Sequence, residues 1–126
     1  MELCGQGGML KLRRAMTASS MISSDVSAAV DPNFHDKFEL QNSCFFGDGL
    51  VFNKYGGSAG KRSSNDASPE FVAKIRKICD DNKIIYQTSE LGAVGVGGGG
   101  TIAAIPANYG MDVIDAGVPV LSMHGP

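Results

Sequence analysis

Residues 68–89, SPEFVAKIRKICDDNKIIYQTS, decide the fold class. The Ser68 hydroxyl can cap a helix, Pro69 suits the first helical position, and Glu70 favours the positive end of the helix dipole. Phe71, Ile75 and Ile78 follow at helical spacing with Lys74, Arg76 and Lys77 around them, and Asp80-Asp81-Asn82 closes the run. KIIYQTS (83–89) then reads as a strand, and GLVFNKY (49–55), β-branched and aromatic between glycines, reads as another upstream. Strand, helix, strand in succession predicts an α/β fold with a mostly parallel sheet.

The flanks add elements of the same kind. MLKLRRAM (9–16) consists of strong helix formers without a breaker. SMISSDVSAAV (20–30) holds a strand around Met21 to Val26 that ends near Asp25, and DPNF (31–34) is a turn. Residues 35–48 show no regular pattern, and GGSAGKRSSND (56–66) is a loop by composition. TIAAIPANYG (101–110) reads as a helix from Thr101 to Gly110, weakened by Pro106. MDVIDAGV (111–118) and PVLSMH (119–124) read as two further short strands.

At 126 residues the chain has the length of one domain. Eleven basic against 13 acidic residues leave a net charge of −2, which disfavours a nucleic-acid partner. No stretch approaches the roughly 20 apolar residues of a membrane span, and the N-terminus lacks a secretory h-region. Cys4, Cys44 and Cys79 are odd in number and widely spaced, so they read as free thiols of a reducing compartment. A cytoplasmic protein is the expectation.

The 17 glycines are about twice the usual share, and GVGGGG (95–100) concentrates them before the 101–110 segment. Glycine lets a ligand approach the main chain, yet the run lacks the Lys-Ser/Thr of a P-loop. Asp115 follows at the end of the next strand, but the glycine spacing is not that of a dinucleotide site. A tight functional or structural turn is the better reading. Asp25 and His124 each close an expected strand, where ligands gather in open α/β sheets. A carboxylate and an imidazole together suit zinc, but two ligands are too few for a site. A solvated aspartate and an idle terminal histidine remain alternatives. His35 lies in the irregular stretch, and neither HExxH nor a nucleophile triad is present.

SSDVSAAVDPNF (23–34), FVAKIRKICDDNKI (71–84), QTSELG (87–92) and GGGGTIAAIPANYGMDVIDAGVPVLSMHGP (97–126) resemble the aspartyl aminopeptidase and aminopeptidase I family of zinc metallopeptidases, bacterial branch. The resemblance runs from about Leu12 to the last residue. It implies part of a three-layer α/β/α catalytic domain with a mostly parallel or mixed sheet. It also implies a two-zinc aminopeptidase that releases N-terminal, preferably acidic, residues from a peptide substrate and works as a homo-oligomer. Asp25 and His124 match two metal ligands of that family. Lys54 matches a substrate-contacting lysine, although a one-residue shift would put Asn53 there. Gly98 to Thr101, with Gly99, Gly100 and Thr101 lining the pocket, matches the substrate loop.

No HxD segment precedes Asp25 and no Glu-Glu pair occurs. The remaining ligands, the general-base glutamate and the lid domain are expected before Met1, so residues 1–126 read as the C-terminal half of the catalytic domain, inactive alone. Phe38 stands where the family commonly has histidine, and Gly95 where it has aspartate. A non-catalytic role in assembly with intact subunits is the alternative.

Overall fold

The computed structural model describes residues 3, 5, 7–56, 65–90 and 101–125. Its helices are α1 (Met9–Thr17), α2 (Pro69–Asp81) and α3 (Ala104–Ala107). Its strands are β1 (Ser20–Ser23), β2 (Val26–Ala28), β3 (Leu50–Asn53), β4 (Tyr55–Gly56), β5 (Asn65–Asp66), β6 (Tyr86–Thr88) and β7 (Asp112–Val120). The main sheet runs β1-β7-β3-β6, and β2 prolongs the β1 side of β7. β7 is parallel to β1 (Ser23↔Asp115) and to β2 (Val26↔Val118), and antiparallel to β3 (Asn53↔Asp115). β3 and β6 are parallel. The sheet is therefore mixed, as one arm of the sequence expectation had it.

α2 forms as its sequence dictates. The Ser68 hydroxyl accepts from Phe71 N at 3.3 Å and donates to Asp112 Oδ1 at 3.0 Å, which ties the helix start to the start of β7. Phe71, Ile75 and Cys79 are buried against Phe52, Ile114 and Ala116 of the sheet. Burying side chains the size of Phe71 and Ile75 stabilises by about 1.5–3 kcal/mol each. Ile78, expected on this face, is 47% exposed. The i, i+4, i+8 row of 71, 75 and 79 meets the sheet, and Cys79 takes the place that Ile78 was expected to fill. Burial pushes the Cys79 thiol pKa up, and the Asp80 carboxylate adds to the shift. Cys44 is buried and free as well, and Cys4 lies outside the described residues.

Several expected elements come out differently. The strand foreseen at 83–89 shrinks to β6, because the chain first has to leave α2. Lys83 takes a left-handed φ of 56°, its N–H bonds Asp80 O, and Ile84 N bonds Cys79 O at 2.9 Å. That is a Schellman ending with lysine where glycine is usual. The helix foreseen at 101–110 is only α3, since Pro106 has no N–H to extend it. Tyr109 N and Gly110 N bond carbonyls three residues back, and Gly110 closes the turn at φ +85°. Residues 35–48, unassigned from sequence, hold 3-10 turns at Pro32–Lys37 and Leu40–Asn42, and Cys44 bridges Ala29. The ends of the 56–66 loop pair as β4 and β5, and residues 57–64 lie outside the described residues.

The two short strands foreseen at 111–118 and 119–124 are the single strand β7, which passes through Pro119. Val118 N bonds Asp25 O, and Val120 O accepts from Ala29 N, so both groups face the β2 side. The nitrogen of Pro119 therefore points to the opposite edge, where the ladder with β3 has already ended at Val51↔Gly117. Proline costs no hydrogen bond there. The 20–30 strand, conversely, breaks at Ser24–Asp25 and resumes as β2. A Cβ at Gly117 would overlap the Asp25 carbonyl oxygen, so only glycine admits that break beside β7.

Gly117→Ala is therefore expected to lower the unfolding free energy by about 1–3 kcal/mol, read from urea denaturation. Lys83→Gly relieves the left-handed residue and is expected to raise it by about 0.5–2 kcal/mol in the same measurement.

Candidate functional site

A layer of polar side chains is buried around the middle of the sheet. Ser23 ends β1, Asn53 ends β3, Ser89 follows β6, Ser27 lies in β2, and Asp115 sits within β7; all five are buried. Such groups are costly to bury unless hydrogen-bonded. Asn53 Nδ2 donates to Ser27 Oγ at 3.1 Å, and Ser89 Oγ donates to Asn53 Oδ1 at 2.8 Å. Thr101 Oγ1 donates to Asp115 Oδ1 at 2.7 Å and accepts from Ala103 N at 3.1 Å. Sequence reasoning missed this layer. The available signal was a polar residue closing an apolar run, as in LVFN at 50–53 or VID at 113–115.

Asp25 stands exposed at the break between β1 and β2. Its Oδ1 accepts from Val26 N at 2.7 Å, and its carbonyl accepts from Val118 N at 3.3 Å. Its backbone is thus held against β7 while its carboxylate faces outward. His124 does not end a strand: β7 stops at Val120, and His124 lies exposed in a turn closed by Gly125 N on Ser122 O at 2.9 Å. It lines an open cavity of about 390 Å³ with Phe34, Lys37, Phe38, Val120 and Met123, while Asp25 is not among the lining residues. Phe38, the expected departure from the family pattern, faces the same cavity as His124. Among the described residues no three His, Cys, Asp or Glu side chains cluster. Asp25 and His124 fit zinc in kind, as carboxylate and imidazole, and fall short in number.

Lys54 and Asn53, the two positions offered for the substrate-contacting lysine, differ in burial. Asn53 is enclosed and committed to two serines, whereas Lys54 is exposed and ion-paired with Asp66. Lys54 also lines a cleft of about 350 Å³ with Arg76, Thr88 and Glu90 over Phe52 and Ile114. Arg76 Nε donates to the Tyr86 hydroxyl at 3.1 Å, which raises the guanidinium pKa. Thr101 spends its hydroxyl on Asp115 and the α3 entry. Asp115 is consequently an internal partner, and it is not presented to a nucleotide. Gly99 and Gly100, with Gly95 and Gly98, lie outside the described residues. His35 is exposed on the first 3-10 turn.

The sequence profile of the aminopeptidase I zinc metalloproteases (M18) matches residues 2–126. The chain belongs to the M18 family. This M18 chain is 56% identical over 126 residues to the probable M18 family aminopeptidase 1 of Clostridium acetobutylicum, covering 100% of itself and 27% of that protein. It is 46% identical over 115 residues to the Thermotoga maritima counterpart, covering 91% of itself and 26% of that protein. The solved Thermotoga maritima M18 aminopeptidase superposes with a TM-score of 0.88 at 43% identity, over 99% of this chain and 28% of that one. The solved Clostridium acetobutylicum aminopeptidase I gives 0.83 at 56% identity, over 92% and 25%. The M18 chain thus spans about a quarter of the length of these relatives, and its α/β fold is that of their matched region. Among the described residues no helix is long and apolar enough to cross a membrane.

Thr101→Val removes a hydroxyl from a buried carboxylate and an amide. It is expected to cost about 1–3 kcal/mol of stability in urea denaturation, with Thr101→Ser keeping most of it.

Proposed function

We propose that this chain supplies part of a two-zinc aminopeptidase active site, with Asp25 and His124 as metal ligands. Bound zinc supplies a water of lowered pKa and polarises the scissile carbonyl. The chain's own residues hold and orient. Asp25 offers its carboxylate from backbone clamped to Val118, and His124 offers its imidazole from the turn after β7. Lys54, exposed on the cleft, contacts the peptide, and Thr101 anchors the end of the glycine run whose Gly99 and Gly100 line the substrate. No residue of this chain is assigned as general base; a glutamate elsewhere in a complete catalytic domain takes that role. The substrate is a peptide with a free N-terminus, acidic residues preferred, and the working protein is a cytoplasmic homo-oligomer.

The observation that carries the reading is an outward Asp25 on backbone clamped to Val118, in a chain matched to zinc metalloproteases from residue 2 to 126. The test exchanges this chain for the matching quarter of the Clostridium acetobutylicum relative. The chimera is expected to hydrolyse N-terminal residues in zinc. Asp25→Asn and His124→Ala are each expected to lower kcat/KM by more than about 100-fold, beyond what changes behind a metal's ligands cost. Full activity in either variant removes that residue from the metal set. Tight zinc binding and hydrolysis by the 126 residues alone would sink the shared-site reading.

A further inference from the structure

The buried amide of Asn53 has a place that core packing alone does not explain. β2 and β3 pair with opposite edges of β7, so the Asn53–Ser27 hydrogen bond of 3.1 Å spans that strand. Asn53 is in register with Asp115, and Ser27 with Pro119, which puts Gly117 midway beneath the bridge. Ser27 is 1% exposed and stands two residues after Asp25. Ser89 fixes the amide from the other side through Oδ1, at 2.8 Å. The amide has one donor pointed at Ser27 and its acceptor engaged by Ser89, so its orientation is determined.

We infer that Asn53 is a positioning residue for Asp25: it holds β2 across β7 through Ser27, and so sets the backbone from which the Asp25 carboxylate projects. The inference rests on the proposed role of Asp25 as a zinc ligand. Its first consequence is independent of metal. Two hydrogen bonds report the pose of Asp25, those from Val26 N to Oδ1 and from Val118 N to the carbonyl. Ligand orientation by groups behind the ligand is worth about 10–100-fold in metal affinity.

The experiment measures amide hydrogen exchange by NMR on this chain and zinc affinity on the chimera described above, in wild type, Ser27→Ala, Asn53→Leu, the double variant and Asp25→Asn. Ser27→Ala and Asn53→Leu are each expected to speed exchange at Val26 and Val118 about tenfold, the worth of one hydrogen bond, with the α2 amides unchanged. Each is expected to weaken the zinc response, read as the chimera's zinc affinity, about tenfold, and the double variant no further, because both remove one shared bond. Ser27→Ala removes only one oxygen and keeps the test decisive if Asn53→Leu fails to fold. Uniform acceleration that includes α2 marks a merely structural bond and overturns the inference. Unchanged exchange and zinc response in Ser27→Ala, with the response lost in Asp25→Asn, overturns it while leaving the metal reading intact. An unchanged response in Asp25→Asn overturns the metal reading, and the inference with it.

Discussion

Strand β7 is hydrogen-bonded along both edges, and the rest of the molecule depends on that double ladder. β1 and β2 take one edge and β3 takes the other, with β6 beyond it. Side chains alternate along β7, so Ile114 and Ala116 meet α2 on one face while Asp115 faces Thr101 on the other. The same alternation brings Gly117 under the β1–β2 break. A strand this central tolerates no slip, because moving one residue would turn Asp115 into the α2 core and Ile114 out of it.

The double ladder explains how a polar layer survives inside the sheet. Ser27, Asn53 and Ser89 form one chain of hydrogen bonds, and Asp115 with Thr101 forms a second. Each bond adds only modest net stability, but each group left unpaired would cost more. The layer thus favours one arrangement of strands over its neighbours. At the edge of the sheet, the Gln87 amide accepts from Phe45 N and donates to Phe45 O, both at 2.9 Å. It stands in for a strand partner beside β6. Polar side chains here do backbone work.

Local chemistry made part of this legible. The Ser68-Pro69-Glu70 start and the 71/75 spacing identify α2 without any knowledge of its partners, and the uninterrupted helix formers of 9–16 do the same for α1. The strand at 50–53 is equally plain, with β-branched and aromatic residues between glycines. Boundaries were less legible where a hydrogen bond decides them. The chain at 111–124 reads as two short strands until the nitrogen of Pro119 is seen to face an edge with no ladder. Lys83 reads as the first residue of a strand, yet it closes the Schellman turn. Ile78 reads as core, and Cys79 takes its place, because helical spacing alone does not say which neighbour faces the sheet.

The candidate site divides in the same way. Sequence by itself determined the α/β class, the M18 resemblance and the residue types at 25, 54 and 124, since these rest on patterning and motif. Only the tertiary structure decided that Lys54 is exposed while Asn53 is enclosed, that Thr101 is spent on Asp115, and that Asp25 sits on backbone admitted by a glycine 92 positions away. The physical reason is common to all three. Burial and hydrogen-bond partnership are properties of neighbours brought together by strand pairing, and no local stretch of chain contains them.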